Sequence, residues 1–380
     1  MRVLHLWDNY APGLFDHSLE ICREEAVETS LVCMNLIAGR TRVAAEVRFV
    51  RKSDRESAAG FLGRLRRRLN GPIDRARFRR LVKAQIGGFK PDVIHVHYGT
   101  TGALIATAGI LEHVPFIISF YGFDISQGLR TPRIQSAYRQ LFRLEPLVHV
   151  LCDEAAQRVK ALGTNPDRIV DANLPLPVER YPDIGVGEEG ISRWLIPARF
   201  VEKKGHDVLL QAFAICRADR PNDRLTCWGY GDSAWLKRRV RELGLSDRVT
   251  IVNNHGEGDF DEQYIAQLRE HDAVLAPSVR SKRGDDEGGP ALTAVLAQVA
   301  GKPVIVSDFP GHERSVSSGV EGLVVRQGDV GALASAMETL AADPGLARRM
   351  GEAGRRRAIK AFDRAAYRDA LVGWYRTLAK

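Results

Sequence analysis

Short apolar runs alternate with stretches of helical periodicity along the whole chain. The apolar runs of the first half predict strands at 3–7, 29–36, 93–98, 116–120 and 148–152. Amphipathic segments such as 102–111 and 137–144 lie between these runs and predict helices. The second half repeats the scheme, with strands predicted at 192–196, 225–228, 249–252, 273–276, 304–306 and 322–325.

Continuous apolar strands separated by helices are typical of parallel sheets that are covered on both faces. Two such series predict an α/β protein with two Rossmann-like domains. The segment 174–190 is rich in proline and glycine and poor in apolar residues, which favours a linker. We therefore expect a first domain at 1–180, a second at 181–362, and a C-terminal helix at 363–380 that packs back on the first domain.

Composition narrows the class of protein without choosing a function. A chain of 380 residues is too long for one ordinary hydrophobic core, which agrees with two domains. Its formal net charge of +8 suits an anionic partner such as a nucleotide, a nucleic acid or a membrane surface. No apolar run approaches the roughly 20 residues that a membrane-spanning helix requires, and the N-terminus lacks the apolar core of a secretion signal. The five cysteines are scattered without a Cys-x-x-Cys pair, which favours a reducing cytoplasm.

A short basic loop carries the first candidate site. Arg199 and Lys204 lie in the loop that joins the predicted strand at 192–196 to a helical run at 207–214. The free N–H groups at the start of a helix, and the positive end of its dipole, attract anions. Two cations at such a place favour a phosphate or diphosphate site, and a solvated basic turn is the alternative.

A second loop, at 285–290, reads Asp-Asp-Glu-Gly-Gly-Pro and precedes a predicted helix at 291–300. Glycines allow backbone N–H groups to approach a ligand closely. A carboxylate in the loop can accept hydrogen bonds from sugar hydroxyls, and Pro290 suits the first position of a helix. The alternative is an acidic helix cap, because carboxylates are stabilised at helix N-termini.

Together the two loops resemble the donor site of family 4 glycosyltransferases, which have the GT-B fold of two Rossmann-like domains facing across a cleft. The resemblance implies that Arg199 and Lys204 bind the diphosphate of the donor. It further implies that the transferred sugar is held by Glu287 and the donor-binding residues after it, namely Gly288, Gly289 and Pro290.

The resemblance is incomplete where the family binds the ribose. The family carries a second glutamate eight positions after the first, and that position here is Val295, or Leu296 when counted back from Gly301. Neither side chain can accept a hydrogen bond from a ribose hydroxyl. The nucleotide is therefore left open, and we expect a UDP-linked or GDP-linked donor.

Polar residues also follow the predicted strands of the first domain. His97 ends one strand, and Tyr121 and Asp124 follow the next. The resemblance implies that these residues lie near the acceptor, and a structural histidine is the alternative for His97. Many relatives have a histidine at the position of Tyr121. Because a phenol titrates near about 10, we expect Tyr121 to position a substrate rather than to transfer a proton.

His95 shares a strand face with His97, but further metal ligands are not in register, and the family needs no metal for catalysis. The loop after the first strand contains Gly13, which matches a glycine that closes over the diphosphate in the family. Thr131-Pro132 and the segment 138–142 resemble relatives that build exopolysaccharides of the colanic acid and amylovoran type.

The segment 61–86 predicts two basic amphipathic helices, separated by a break at Asn70-Gly71-Pro72. Between 64 and 83 it holds nine lysines or arginines and a single acidic residue. Such helices favour contact with an anionic membrane surface. Ordinary surface helices with their apolar sides on the core are the alternative, and nucleic-acid binding is not expected because no recognised motif occurs.

The sequence thus predicts a retaining, metal-independent glycosyltransferase that has no cofactor and uses a nucleotide-diphosphate sugar. We expect a saccharide or lipid-linked acceptor in cell-surface polysaccharide biosynthesis, and a cytoplasmic location that is peripheral on the inner face of the membrane. One alternative is a non-catalytic nucleotide-sugar-binding protein, which Tyr121 and the missing second glutamate favour. Another is a sugar-nucleotide epimerase, which shares the double-Rossmann shape but lacks both loops.

Overall fold

The computed structural model describes residues 1–10, 17–37, 47–53, 61–188, 190–216, 220–254, 258–282, 284–286 and 289–380, and for 53, 61–70 and 107 the backbone alone. The chain divides into two compact units. Unit 1 comprises Met1–Ala172 and Ala365–Lys380, and unit 2 comprises Asn173–Arg364. The first division therefore lies at 172/173, eight residues before the predicted boundary at 180/181.

Unit 1 is built on a parallel sheet of seven strands in the order β3-β2-β1-β4-β5-β6-β7. Its strands are β1 Arg2–Tyr10, β2 Glu28–Ile37, β3 Val47–Ser53, β4 Val93–His97, β5 Phe116–Ser119, β6 Leu147–Val150 and β7 Ile169–Asp171. Its helices before the division are α1 His17–Glu24, α2 Phe61–Phe89, α3 Gly99–Ile105, α4 Pro132–Phe142 and α5 Asp153–Ala161.

Unit 2 is built on a parallel sheet of six strands in the order β10-β9-β8-β11-β12-β13. The strands are β8 Arg193–Pro197, β9 Arg224–Gly229, β10 Val249–Asn253, β11 Ala273–Ala276, β12 Val304–Ser307 and β13 Leu323–Val325. The helices are α6 His206–Cys216, α7 Ala234–Glu242, α8 Phe260–Glu270, α9 Leu292–Val299, α10 Val330–Ala342 and α11 Pro344–Ala361. The last helix, α12 Arg364–Leu378, belongs to unit 1 from Ala365 onward.

The apolar strands are buried on both faces, as the sequence pattern indicates. On β8, Trp194 and Ile196 pack in one hydrophobic cluster, and Leu195 between them packs in another. Successive side chains of a strand point to opposite faces, so the two clusters lie on the two sides of the sheet. A run without polar interruption is therefore required, and it is what the sequence contains.

The sequence prediction missed two strands, β3 and β7. They occupy the two edges of the unit 1 sheet, where a strand has one neighbour instead of two. β3 carries Arg48, Arg51 and Lys52, and Arg51 forms an ion pair with Asp74 of α2. Charged residues are common on edge strands, so such strands lack the apolar run that marks a central strand.

The predicted break at Asn70-Gly71-Pro72 is wrong, because α2 is one helix of 29 residues that contains Pro72. A proline removes one backbone hydrogen bond from a helix, and packing on the following turns can outweigh that loss. Phe78 and Val82 supply such packing, since both are fully buried in the core of unit 1. The apolar stripe of this part of α2 thus faces the core, as the alternative interpretation of this segment required.

In the part of the chain that the structure describes, no helix combines the length and the apolar character needed to cross a bilayer.

Candidate functional site

In each unit, the candidate residues lie where parallel strands end at the carboxyl edge of the sheet. The strand order reverses between β8 and β11 in unit 2 and between β1 and β4 in unit 1. Ligands of such open sheets bind outside the carboxyl ends of the strands, at the point where the order reverses. The basic loop follows β8, and the acidic loop follows β11, its neighbour in the sheet.

Gly205 holds the basic loop against the loop that follows β11. A short 3₁₀ turn, Glu202–Lys204, leads into Gly205, which has a φ of 73°, and α6 begins at the next residue. A Cβ atom at Gly205 would lie 1.8 Å from the carbonyl oxygen of Pro277. The close approach therefore requires glycine for its lack of a side chain as well as for its positive φ.

Gly205→Ala should lower the free energy of unfolding by about 2–4 kcal/mol, because it combines left-handed strain with a backbone clash. Gly328→Ala is a matched control, since Gly328 has a φ of 78° but a Cβ atom added there would have no neighbouring atom within 4 Å. It should cost only the strain, about 1 kcal/mol. Urea unfolding followed by circular dichroism measures both, and equal losses in the two variants would contradict the close contact with Pro277.

The two adjacent lysines of the basic loop differ in their surroundings. Lys203 is 9% exposed, and its Nζ lies 3.0 Å from Oδ2 of Asp285 in the acidic loop. The backbone N–H of Val279 donates to the Lys203 carbonyl at 2.9 Å, which adds a second link between the loops. Lys204 is half-buried, and Arg199 is exposed. Lys203 thus fastens one loop to the other, a role that the sequence analysis did not assign.

The electrostatic character of the basic loop comes from its cations and from the start of α6. His206, the first residue of α6, is buried, and burial lowers its pKa to about 3, assisted by the charge of Lys204. Its ring is therefore neutral at neutral pH. Among the described residues, no carboxylate pairs with Arg199. The positive potential at this edge is thus available to an anion.

Glu287 and Gly288 of the acidic loop, and Gly13 of unit 1, lie outside the described residues. The part of the acidic loop that is described is anchored from both ends. Asp286 is 1% exposed and lies 3.4 Å from Arg280, and Asp285 Oδ1 is buried without a hydrogen-bond partner among the described residues. At the other end, a Cβ atom at Gly311 would lie 2.3 Å from the carbonyl of Gly289, so their backbones are in direct contact.

Pro290 does not occupy the first position of a helix, because α9 begins at Leu292 with Ala291 as its N-cap. Pro290 is buried beside Gly289, so it ends the loop two residues before the helix. Val295 and Leu296 of α9 are 0% and 4% exposed and belong to a hydrophobic cluster. Both side chains therefore pack in the interior, and neither offers an oxygen at the edge of the sheet.

In unit 1, Asp124 connects the loop after β5 to the start of α3. Its Oδ1 accepts hydrogen bonds from the N–H groups of Tyr121 and Gly122, each at 3.0 Å, and its Oδ2 accepts from Gly99 N–H at 2.7 Å. The side chain is fully buried, and burial raises its pKa to about 6 although the backbone donors oppose that shift. Asp124 thus fixes the position of Tyr121 through its backbone N–H group.

His97, at the end of β4, forms a hydrogen bond with the hydroxyl of Tyr121. Its Nδ1 lies 2.8 Å from the Tyr121 hydroxyl, its Nε2 lies 3.0 Å from Nδ1 of His5, and its ring stacks on Trp7 with centroids 3.4 Å apart. Burial lowers the pKa of His97 well below its usual value and raises that of Tyr121 well above it. At neutral pH both groups are therefore neutral, and Tyr121 keeps its proton.

A second chain of hydrogen bonds runs from Tyr375 through His95, Ser119 and His149 to the carbonyl of Ala172. That carbonyl only accepts, so His149 Nε2 donates to it at 3.0 Å, and in a neutral ring Nδ1 then accepts from Ser119 at 3.0 Å. Ser119 Oγ accepts in turn from His95 Nε2 at 2.9 Å, and the Tyr375 hydroxyl donates to His95 Nδ1 at 2.6 Å. Tyr375 lies on α12, so this chain connects the C-terminal helix to the sheet.

Ring nitrogens of His5, His95 and His97 lie within 4.8 Å of one another, a spacing at which they could hold a metal ion. All six nitrogens nevertheless have a partner: one another, Tyr121, Tyr375, Ser119 or Cys22. A metal ion would have to displace several of these hydrogen bonds. The hydrogen-bonding groups of the three rings are therefore satisfied without a metal ion, in a network of neutral rings.

Sequence analysis missed His5 and Tyr375. The register of the sheet sets His5 of β1 directly opposite His95 of β4. In a doubly wound sheet the first strand lies beside the fourth, so the neighbouring strands could have been anticipated from the fold class, but the register that sets these two residues opposite each other could not. Tyr375 lies 280 positions from its partner His95, and no local pattern connects the two.

Comparison with known proteins identifies two family matches. Residues 191–357 match the model of the glycosyl transferases group 1, and residues 17–170 match that of the glycosyl transferase 4-like domain. The chain is 30% identical over 251 residues to WcaL of Salmonella typhimurium, a glycosyltransferase assigned to colanic acid biosynthesis, covering 65% of this chain. It is 28% identical over 260 residues to the amylovoran biosynthesis glycosyltransferase AmsK of Erwinia amylovora, covering 67% of this chain. The matches span 61% and 62% of the lengths of those two relatives.

Two solved structures share the fold over nearly the whole chain. The sucrose-phosphate synthase of Thermosynechococcus elongatus aligns with a TM-score of 0.77 at 17% identity, over 100% of this chain and 99% of its own. HepE of Anabaena, in complex with UDP and glucose, aligns with a TM-score of 0.73 at 17% identity, over 98% of each chain. The predicted fold class, α/β with two Rossmann-like domains of the GT-B type, is confirmed.

Proposed function

Because the chain belongs to the group 1 glycosyl transferases, with a glycosyl transferase 4-like domain in its first half, we propose that it transfers a sugar from a nucleotide-diphosphate sugar. The observation that carries this proposal is the place of Arg199 and Lys204. They lie at the carboxyl edge of the unit 2 sheet, beside the start of α6 and at the reversal of strand order. A diphosphate is the anion that such a loop would stabilise best.

Arg199, Lys204 and the N-terminal N–H groups of α6 would stabilise the charge that develops on the departing diphosphate. Glu287, with Gly288, Gly289 and Pro290 after it, would hold the transferred sugar, and Gly13 would close over the diphosphate. Since two cations neutralise the leaving group, the reaction is proposed to need neither a metal ion nor a cofactor. We expect UDP or GDP as the nucleotide, and HepE, with which the chain shares its fold, binds UDP.

We propose a retaining reaction in which the acceptor attacks from the face that the diphosphate leaves. The acceptor oxygen forms its bond to the anomeric carbon while the carbon–phosphate oxygen bond breaks. The leaving phosphate oxygen takes the proton of the acceptor hydroxyl, so no side chain has to act as a base. This agrees with Tyr121, whose raised pKa keeps it protonated and suits it to a positioning hydrogen bond.

The proposed acceptor is a saccharide or a lipid-linked saccharide in cell-surface polysaccharide biosynthesis, by similarity to WcaL and AmsK. It would bind near Tyr121, His97 and Asp124 of unit 1. We propose that the protein acts in the cytoplasm, at the inner face of the membrane. Since the apolar stripe of α2 packs in the core, membrane contact would use its exposed cations, such as Arg80 and Lys83.

A non-catalytic nucleotide-sugar-binding protein is the second candidate. The observation that favours it is the packing of Val295 and Leu296, which removes the usual carboxylate partner of the ribose. Both candidates bind a nucleotide sugar, and turnover distinguishes them. Hydrolysis of the donor, or transfer to an acceptor, supports the enzyme, and an intact donor after long incubation with a broad acceptor panel supports the binding protein.

A thermal-shift screen against UDP, GDP, ADP, dTDP and their sugars tests the proposed donor site. Binding to the native state adds RT ln(1 + [L]/Kd), about 2.7 kcal/mol at a hundredfold excess over Kd, so the correct nucleotide should raise the Tm by several degrees. The rise should disappear in the double variant Arg199→Ala/Lys204→Ala. No rise with any nucleotide would count against both candidates.

A further inference from the structure

A cavity of about 370 Å³ lies in unit 1 between α2, α3 and α4. Arg75 and Arg79 reach it from α2, and Arg133 reaches it from the start of α4. Its volume falls at the lower end of the range of small-molecule sites. We call it the arginine cavity.

The arginine cavity carries three positive charges, and none of the described residues that line it is acidic. Arg79 is partly used, because its Nε donates to the Leu104 carbonyl at 2.6 Å. Among the described residues, no carboxylate pairs with Arg75 or Arg133. Like charges that converge on a concave surface repel one another, and an anion with several acceptor oxygens removes that cost.

A comparable cavity in unit 2 is balanced instead. It has about 580 Å³ and is also lined by arginines, but Arg239 pairs there with Asp207 at 2.6 Å and with Glu242 at 3.3 Å. The arginines of this second cavity are therefore neutralised by carboxylates of the protein itself. The arginine cavity has no such carboxylate among the lining residues that the structure describes, which points to an external anion.

The rest of the lining indicates what the anion is attached to. Leu104, Ala103, Ile134 and Ala137 form an apolar wall beside the guanidinium groups. A free inorganic anion would leave this wall in contact with water, and an apolar chain attached to the anion would cover it. Arginine recognises phosphate oxygens through its planar fork of donors.

We propose that the arginine cavity binds a phosphate ester with an apolar chain, the phosphate between Arg75 and Arg133 and the chain along Leu104 and Ile134. This proposal rests on the membrane contact in the proposed function. It extends that contact by giving α2 and α4 a defined site for a lipid phosphate. It does not depend on sugar transfer. Binding can therefore be measured with no nucleotide sugar present.

Calorimetry with dihexanoyl phosphatidic acid, below its micelle concentration, tests the site. Dihexanoyl phosphatidylcholine has the same chains without net charge, and inorganic phosphate has the charge without chains. The phosphatidic acid should bind saturably, and Arg75→Gln and Arg133→Gln should each weaken it about tenfold. Arg77→Gln on α2 and Arg139→Gln on α4 are matched controls, because both arginines are exposed and outside the lining, and they should change binding less than twofold.

Equal weakening by the controls would overturn the proposal, because binding would then reflect the general positive charge of the surface. Equal affinity for phosphatidylcholine would contradict the recognition of a net negative charge by the arginines. Equal affinity for inorganic phosphate would contradict the contact between an apolar chain and the apolar wall. Absence of saturable phosphatidic acid binding would overturn the site as a whole. A nucleotide thermal shift that persists in Arg75→Gln and Arg133→Gln separates that failure from a failure of the proposed donor site.

Discussion

Replacing Lys204 with alanine should reduce the rate of sugar transfer by about a hundredfold to a thousandfold, with a smaller change in KM. On the proposed function, Lys204 stabilises negative charge that grows as the diphosphate departs, so it acts more on the transition state than on the bound donor. Loss of one preorganised donor to a developing anion costs a factor of this size in other enzymes. Initial rates of transfer and of donor hydrolysis measure the effect.

Two variants make the experiment with Lys204 specific. Lys237→Ala removes an exposed lysine of α7 and should leave both rates unchanged. Lys203→Ala breaks the 3.0 Å ion pair with Asp285 and should lower the Tm. Normal transfer by Lys204→Ala would remove the leaving-group role from the basic loop.

Acidification should destabilise unit 1 strongly below about pH 6.5. Burial lowers the pKa of His5 to about 3 and holds the pKa values of His95 and His97 well below their usual range. In the unfolded chain these rings titrate near about 6.5, so between that pH and about 3 the unfolded chain binds protons that the native state does not. Their contribution to stability is present above pH 6.5 and is lost as the pH falls through this window.

Three such rings should lower the free energy of unfolding by up to about 4 kcal/mol for each pH unit within the window. Urea unfolding at pH 7, 6 and 5, with hydrogen exchange of β1 and β4, measures this slope for unit 1. His97→Gln should reduce the slope by about one third, because one titrating ring is removed. His113→Gln, which changes an exposed histidine of the same unit, should not reduce it. Equal slopes for these two variants would contradict the buried, neutral state of His97.

The strands at the centre of both sheets were predictable because their signal is local. β11, for example, was predicted at 273–276 and found at Ala273–Ala276, since an apolar run between two helical stretches is sufficient to mark it. The edge strands β3 and β7 were not predictable in this way, because one open edge permits charged residues. The helix α2 was divided wrongly, since the cost of Pro72 is local and the packing of Phe78 that offsets it is tertiary.

The candidate donor site was predictable in outline for a related reason. A motif such as the one from Arg199 to Gly205 contains its strand end, its loop and its helix start within a few residues, so its chemistry can be inferred before the chain is folded. The different roles of its two lysines could not be inferred. Lys203 and Lys204 are adjacent and chemically identical, and only the position of Asp285 assigns Lys203 to the ion pair.

The sequence by itself determined the fold class and the places where cations and small residues meet strand ends, because periodicity and short motifs act over a few residues. Only the tertiary structure placed His5 opposite His95, set Tyr375 against that histidine from 280 positions away, and brought arginines of α2 and α4 to one cavity. These contacts depend on strand order and helix packing. Side chains that are distant in the chain become neighbours only when the sheet and its covering helices assemble.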